Sequence, residues 1–245
     1  MPCFSPDARR LFDDCDEGDL LDNLEGFYEG LLERRKAAVP FGDLRKLEER
    51  ERTTRSLDLL QQVQLHRAER LLAAASLLLP AGNAYSIALV VRGFYESTAV
   101  LGYFCSRLES LSRGSIQFDD FQWEVADAVM GARHSTFTKA RAPLQILTCL
   151  DRADKYLDKH LFKEKHRVLR DGYDWLSEFA HPNFLSNVCA FRVDRERECL
   201  VLRHGEGALS EDIELLSYLG ICAPIFTWLY ESLSQRSADC SFGFD

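Results

Sequence analysis

The chain has 245 residues, a hydrophobic content of 46% and a formal net charge of -9. A chain of this size can bury a sizeable core, and its few glycines and prolines form no long flexible linker, which favours a single domain over 1–245. The negative charge argues against non-specific nucleic-acid binding as the main activity, because the phosphate backbone repels such a field.

Helical periodicity dominates the first half of the chain. Leucine and aromatic residues recur at helical spacing over 18–38, and a long helical pattern follows from residue 43 to about 79. Residues 84 to about 111 are apolar nearly all round, which predicts a helix that is buried on most sides. The stretch 1–17 is expected to be a loose tail.

Shorter elements follow in the second half. Four further helices are expected, at 118–129, 143–157, 164–181 and about 211–235. Two apolar, β-capable runs on either side of a charged turn predict a β-hairpin. The tail over 237–245 is expected to be loose. The expected fold is therefore all-α, a bundle of about seven helices with one β-hairpin insertion near 188–203.

A polar line lies beside the core stripe of the helix predicted at 164–181. Its members follow helical spacing on one face: Arg170, Asp174, Ser177 and His181. Asp174 is placed to hold Arg170, and Ser177 is placed to share a hydrogen bond with His181. One interpretation is a satisfied polar seam that ends in a capping histidine, which the helix dipole favours at a C-terminus.

The other interpretation of this line is a catalytic or ligand-binding site. The candidate catalytic residues are His181, Arg170, Ser177 and Glu178, whose groups are suited to proton transfer and charge stabilisation. A serine nucleophile is disfavoured, because Ser177 and His181 share one helix and lack the strained strand-to-helix turn of hydrolases.

Two opposite charges lie on the most apolar helix. Unpaired and buried, Arg92 and Glu96 would each cost several kcal/mol, so we expect them to pair with each other or with the polar line of 164–181. The same charges argue against a membrane span over 84–105. Either they form a structural ion pair, or they contribute to a ligand pocket with His181. The predicted polar network or ligand-binding set is Arg92, Glu96, Tyr173, Asp174 and Asn183.

The charge is distributed unevenly along the chain. Residues 133–170 hold ten Lys and Arg against four Asp and Glu, an excess of +6, whereas 1–33 holds ten acids and two bases. The basic segment is suited to phosphates or RNA, or it pairs with the acidic segment of the same or another subunit. We favour pairing, since the whole protein is acidic. The expected partners are a homodimer or another protein, with RNA as a further partner through 133–170.

The eight cysteines include no C-x-x-C pair, and several stand inside apolar runs, which is typical of reduced thiols in a cytosolic protein. No secretory leader pattern is recognisable, so the predicted localisation is cytoplasmic. His160 and His166 lack a metal-ligand spacing, and no dinucleotide or nucleotide glycine motif is present. We therefore expect neither a metal nor a cofactor.

Two motifs carry a resemblance to a known group of proteins. They are Arg92-Gly93-Phe94-Tyr95-Glu96 and Tyr173-x-x-Leu176-Ser177-Glu178-x-x-His181-Pro182-Asn183. Followed by a hairpin and a last helix, they resemble uncharacterised bacterial helical proteins with the pattern R-x-x-x-E … Y-x-x-L-S-E-x-x-H-P-[NS]. Over about 84–235 the chain is similar in outline to HEPN-type bundles, many of which are dimeric ribonucleases or partners in toxin–antitoxin and phage-defence systems.

The residues and the resemblance together leave three alternative functions. Ten residues separate Arg170 from His181, which departs from the R-x4-6-H motif of HEPN nucleases, so we favour a non-enzymatic or regulatory helical protein in a bacterial stress or defence setting. The second function is a divergent, metal-independent ribonuclease that uses His181 with Arg170 or Arg92. The third is a small-ligand binder at the pocket of Arg92, Glu96 and His181.

Overall fold

The computed structural model describes residues 3–40, 46–203 and 210–239. Within them the chain forms nine α-helices and one antiparallel strand pair, which confirms the predicted all-α fold with a hairpin insertion. The helices are α1 (Pro6–Asp14), α2 (Gly18–Arg34), α3 (Glu49–Leu78), α4 (Ala84–Ser112), α5 (Phe118–Met130), α6 (Ile146–Leu157), α7 (Val168–Ala180), α8 (Phe184–Val188) and α9 (Ser210–Asp239). The strands are β1 (Phe191–Asp194) and β2 (Cys199–Leu202).

Helix α1 lies within 1–17, which the sequence predicts to be loose. The Ser5 hydroxyl caps the helix by accepting the Ala8 N–H at 3.2 Å, and Pro6 starts it, where a missing N–H costs nothing. The Phe12 side chain is fully buried and packs edge-on against Phe4, with 5.3 Å between ring centroids. The prediction of a loose tail is therefore wrong for this helix.

Helix α7 begins at Val168 rather than at residue 164, because a carboxylate on α6 sets its first turn. The buried Asp154 accepts the N–H of Leu169 at 2.9 Å and that of Arg170 at 3.0 Å. Between α6 and α7 the chain passes through a π-helical stretch, Asp158–Phe162, and a left-handed Lys163 with φ 61°. Helical spacing alone therefore predicts a helix that starts earlier in the chain than α7 does.

Other boundaries also differ from the prediction. Helix α3 starts at Glu49 and helix α6 at Ile146, each later than expected, although residues 41–45 lie outside the described part of the chain. Helix α9 continues to Asp239 through the start of the tail expected to be loose, and 240–245 are not described. The short α8, which begins after its N-cap Asn183, has too few residues for a periodic pattern.

The described residues cluster into two compact units, each assembled from three stretches of chain, and the single domain over 1–245 stays a prediction. Unit one comprises Met1–Glu33, Ala68–Tyr95 and Asp171–Pro224, and unit two comprises Arg34–Arg67, Glu96–Arg170 and Ile225–Asp245. Helices α2, α3, α4, α7 and α9 contribute residues to both units.

Aromatic packing and a small residue shape the core of unit one. Phe27 on α2 packs edge-on against Phe94 on α4, with 5.6 Å between ring centroids. A β-carbon at Gly220 would lie 2.5 Å from Cδ1 of Leu20, so the absence of a side chain lets α9 approach α2.

Unit two has a core that includes satisfied polar groups. The Gln62 amide donates to the Tyr230 hydroxyl at 2.8 Å, and the Gln61 amide donates to the Tyr230 carbonyl at 2.8 Å. Both glutamines are buried, and these bonds offset the cost of removing their amides from water. Elsewhere in the unit, a β-carbon at Gly102 would lie 2.5 Å from that of Ala153, which brings α4 and α6 into close contact.

Helix α9 is, within the described residues, the one helix long and apolar enough to cross a membrane, over Asp212–Ala238. However, 56% of its most apolar window is buried inside the protein. Core helices of soluble proteins meet the same criterion of length and composition, so this is weak evidence for a span.

Candidate functional site

Arg92 and Tyr173 form the main polar contact among the predicted site residues of unit one. Arg92 Nη2 donates to the Tyr173 hydroxyl at 2.8 Å, and the guanidinium carbon lies 4.8 Å from the centroid of the tyrosine ring. Tyr173 is only 6% exposed, and Arg92 is half-buried. The contact joins α4 to α7 through a charge-assisted hydrogen bond and a cation–π interaction.

Ser177 and His181 do not form the hydrogen bond that their spacing suggests. The Ser177 hydroxyl donates to the Tyr173 carbonyl at 2.7 Å, one turn earlier in the same helix. His181 lies in the turn after α7 and is exposed, and its ring makes no hydrogen bond within the described part of the chain. Serine in mid-helix commonly bonds back to its own backbone, and that local partner is the one formed here.

The remaining candidates on and after α7 have separate surroundings. Glu178 is half-buried, makes no ion pair with a described residue, and is not joined to His181. Asp174 is exposed. Asn183 is the N-cap of α8, where its carbonyl accepts the Ser186 hydroxyl and the Asn187 N–H, both at 3.0 Å. Asn183 therefore has a structural role at a helix start.

Arg170 belongs to unit two, where it faces α6. Its Nη1 lies 3.1 Å from an oxygen of Asp151, and its backbone N–H is one of the two held by Asp154. The Arg170 side chain is 22% exposed. This guanidinium thus helps to hold α7 against α6.

Arg92 and Glu96, expected as a buried ion pair or as part of a ligand pocket, are both only half-buried. The Glu96 carboxylate, 27% exposed, accepts a hydrogen bond from Arg67 Nη2 at 2.9 Å, and the Arg67 side chain is 50% exposed. The large penalty of an isolated buried charge therefore does not apply to Glu96.

A cluster of charged side chains in unit two brings together residues that sequence reasoning did not combine. Glu109 on α4 accepts Lys159 Nζ at 2.5 Å and also bonds the Arg113 guanidinium, while His160 Nε2 lies 3.2 Å from its other oxygen. Lys159 and His160 stand on the π-helical stretch, a local geometry that is frequent at functional sites. Glu109 and His160 are 51 positions apart in the sequence, so no local motif reveals the contact.

The chemistry of this cluster is that of an oriented imidazole. Burial raises the pKa of Glu109, but the hydrogen bonds from Lys159 and His160 outweigh it and hold that pKa below its ordinary value. The ionised carboxylate orients the His160 ring, which also packs on Tyr156 with 4.4 Å between centroids. Such a carboxylate–imidazole pair is suited to proton transfer.

Exposed aromatic rings lie beside the loop between α5 and α6. The Arg141 guanidinium carbon lies 4.9 Å from the centroid of the Trp123 ring, and Arg141 is held there by two hydrogen bonds to Asp127 at 2.7 and 3.2 Å. Trp123 is 54% exposed, and Phe137 within the loop is 60% exposed. Rings this exposed are available for stacking with a bound molecule.

The basic segment keeps much of its charge unneutralised. Several of its cations make no ion pair with a described residue: Arg133, Lys139, Lys155, Lys163 and Lys165. Two of its four acids, Asp154 and Asp158, accept backbone N–H groups. In the acidic N-terminal segment, Asp7 pairs with Arg10 at 2.6 Å and Glu25 pairs with Arg9.

The HEPN spacing of arginine and histidine does occur once, from Arg197 to His204. Arg197 lies in the turn of the hairpin, where its N–H donates to Asp194 at 3.0 Å, and β2 follows it. His204 lies outside the described residues. The spacing from Arg197 to His204 therefore begins in a hairpin turn and not on a helix. The relative direction of two side chains at a given sequence spacing differs between a helix and a strand.

No group of three or more His, Cys, Asp and Glu side chains is placed to hold a metal ion in the described part of the chain. In comparisons with protein-family models, curated proteins and solved structures, the chain has no match. The likeness to HEPN-type bundles therefore stays a prediction from the two sequence motifs.

Proposed function

We propose that the protein is a non-enzymatic helical protein that binds single-stranded RNA. The observation that carries the proposal is that one segment holds two exposed rings, Trp123 and Phe137, and cations that make no ion pair with a described residue, Arg133 and Lys139. Single-stranded nucleic acids are bound by aromatic rings that stack on bases and by cations that follow the backbone. We call the segment 123–141 the aromatic–basic segment.

The surroundings of the predicted catalytic residues favour binding over catalysis. The Ser177 hydroxyl is committed to a backbone carbonyl, and Arg170 faces Asp151. The exposed His181 ring has neither a carboxylate nor a hydroxyl to orient it among the described residues. The motif resemblance adds support for RNA as the partner and for a regulatory role in a bacterial stress or defence setting.

The test is fluorescence anisotropy with a short labelled single-stranded RNA. Trp123→Ala and Phe137→Ala should each weaken binding about tenfold, since stacking of one base contributes about 1–3 kcal/mol. Met130→Ala is the matched control, because Met130 is also exposed, at 70%, and stands on the same helix as Trp123 but carries no ring. Lys139→Gln should reduce the salt dependence of binding by about one counterion.

Two outcomes would reject the proposal. One is the absence of binding at low salt, and the other is unchanged affinity in the Trp123→Ala, Phe137→Ala double variant. Stronger binding to duplex RNA than to the single strand would show that the protein recognises the RNA backbone and does not bind by stacking on bases.

A second candidate function, a metal-independent ribonuclease, is favoured by the 3.2 Å contact between His160 and Glu109. The imidazole would take the proton from the 2′-hydroxyl as its oxygen bonds to phosphorus, Lys159 would protonate the 5′-oxygen as its bond to phosphorus breaks, and Arg113 would stabilise the phosphate charge. The same RNA, analysed on a gel after incubation, distinguishes the two functions. Cleavage that is lost in His160→Ala but kept in His181→Ala would establish this enzyme, and the reverse pattern would establish the site predicted from sequence.

A further inference from the structure

The β-hairpin presents an apolar face to solvent. In its register Phe191 lies opposite Leu202, and Val193 lies opposite Leu200. Opposed residues, and residues two apart on one strand, share a face of a sheet, so these four side chains form a single face. Three of them are more than half exposed: Val193 at 64%, Leu200 at 58% and Leu202 at 57%.

The outer edge of β1 is also open. The Arg203 N–H donates to the Ala190 carbonyl at 2.9 Å, which makes 190 and 203 a hydrogen-bonded pair. Because such pairs alternate along an antiparallel ladder, Arg192 and Asp194 bond to β2, and the N–H and C=O of Val193 point away from it. In the described chain the sheet has two strands, so no third strand occupies this edge.

A sheet of this kind is incomplete. An isolated two-stranded hairpin is only marginally stable in water, and further strands that share its hydrophobic face, like packing against a helix, stabilise it. An open edge is also a template for another strand. We propose that a second copy of this chain adds its β1, antiparallel, to the open edge of β1, about a two-fold axis that passes through Val193.

The charges beside Val193 identify the second copy as the occupant. With Val193 on the axis, Arg192 of each copy lies opposite Asp194 of the other, so one strand supplies both halves of two opposite-charge pairs. A parallel, in-register arrangement would instead place Arg192 beside Arg192, which is unfavourable. The Asp194 side chain remains 26% exposed even with Arg197 3.8 Å away in the same turn.

The product is a four-stranded sheet in which the apolar faces of both hairpins are continuous. The two Val193 side chains meet at the centre, and each strand edge that carries them gains backbone hydrogen bonds. The contact is isologous, because the same residues contribute from both sides, and it therefore closes as a dimer. This assembly does not depend on RNA binding, since the hairpin lies outside the aromatic–basic segment.

A charge-exchange experiment on the full chain tests the pairing. Arg192→Asp places two aspartates opposite each other across the axis, and Asp194→Arg places two arginines there, so each variant should dimerise about tenfold more weakly or worse. A mixture of the two variants restores both opposite-charge pairs. Analytical ultracentrifugation should therefore show a heterodimer in the mixture at concentrations where each variant alone is monomeric.

Disulfide cross-linking provides a second measurement that does not rely on the charge variants. In a Cys199→Ser background, Val193→Cys places two thiols on the axis, at a separation that a disulfide can span, and should cross-link on mild oxidation. Leu200→Cys stands on β2, which the two β1 strands separate from the β2 of the other copy, and should not cross-link. The background without an added cysteine measures cross-links through the native thiols.

The cross-linking results distinguish edge pairing of the two hairpins from face-to-face packing. Cross-linking at both positions would mean that the hairpins pack face to face, and it would overturn the edge pairing. A wild-type chain that is monomeric at micromolar concentration, with no cross-link at position 193, would overturn self-association through the hairpin. Selective cross-linking at 193 supports the proposal even where a charge variant fails to fold.

Discussion

The ring of Tyr95 fills the space that a side chain at position 172 would need. A β-carbon on Gly172 would lie 2.4 Å from Cε1 of Tyr95 and 2.8 Å from its hydroxyl oxygen. That hydroxyl donates to the carbonyl of Tyr218 at 3.0 Å, so one ring connects α4, α7 and α9 within unit one.

We therefore expect Gly172→Ala to destabilise the protein by about 1–3 kcal/mol, because overpacking moves the Tyr95 ring off its hydrogen bond and exceeds the gain in helix propensity. Chemical denaturation followed by circular dichroism measures the change. Gly26→Ala in α2 is the control, since nothing lies within 4 Å of its added β-carbon, and it should be neutral or stabilising. Equal effects at the two positions would contradict the close packing of Tyr95.

The Tyr173 hydroxyl provides a second test. Tyr173→Phe removes the hydrogen bond from Arg92 but keeps the ring beside the guanidinium, so we expect a loss of about 1–2 kcal/mol. Tyr218→Phe is the comparison, because the Tyr218 hydroxyl has no hydrogen-bond partner among the described residues. That change should stay within about 0.5 kcal/mol. A larger loss at 218 than at 173 would argue against the Arg92 contact.

Glu109 should make the free energy of unfolding depend on pH in the acidic range. In the folded protein the pKa of Glu109 is below the ordinary value of 4.5. The ionised carboxylate therefore makes its full contribution to the free energy of unfolding above pH 4.5, and that contribution is lost as the pH falls through the lower pKa of the folded state. The wild type should therefore be more stable than Glu109→Gln by about 1–2 kcal/mol at pH 6, and the difference should shrink as the pH falls through the lowered pKa of Glu109.

Denaturant melts at several pH values measure this difference. Glu29→Gln is the control, because Glu29 is exposed and pairs with no described residue. Its effect should be small at every pH. A Glu109→Gln effect that stayed constant down to pH 3 would show that the carboxylate is not held in its ionised form by Lys159 and His160.

Thiol reactivity should follow burial. Removal from water raises the pKa of both Cys105 and Cys149 to about 12, whereas Cys15 and Cys199 are exposed. Because the thiolate is the reactive form, a disulfide reagent at pH 8 should label Cys15 and Cys199 first, and Cys105 and Cys149 only after unfolding. Peptide mass spectrometry reports the order. Labelling of Cys105 as fast as Cys199 would contradict its place in the core.

The fold class was predictable because helical spacing of apolar residues repeats over long stretches. Helices α3, α4 and α9 have about 30 residues each, and their patterns outweigh local exceptions. The short helices α1 and α8, with nine and five residues, were not predicted, because so few residues contain too little periodicity. The hairpin was predicted from its β-capable runs, but the exposure of its apolar face depends on tertiary structure that no local pattern contains.

The candidate site was predictable only in part. Arg92 and Tyr173 each stand in one of the two motifs, and their side chains are joined by a hydrogen bond between α4 and α7, but the sequence did not identify them as partners of each other. The contact of Glu109 with His160 joins distant segments, and no spacing rule covers it. Ser177 shows why spacing on a helix does not fix a side-chain contact. Its hydroxyl has a backbone acceptor one turn away, which competes with any side-chain partner.

The carboxylate of Asp154 has a consequence for engineering. Since it fixes the first turn of α7 directly from α6, the geometry of that turn does not depend on the length of the connection between the two helices. The entropy of closing a loop grows only slowly with its length, and Lys163 and Lys165 in this connection are exposed. An affinity tag or a fluorescent reporter grafted between residues 163 and 165 should therefore leave the register of α6 and the start of α7 intact.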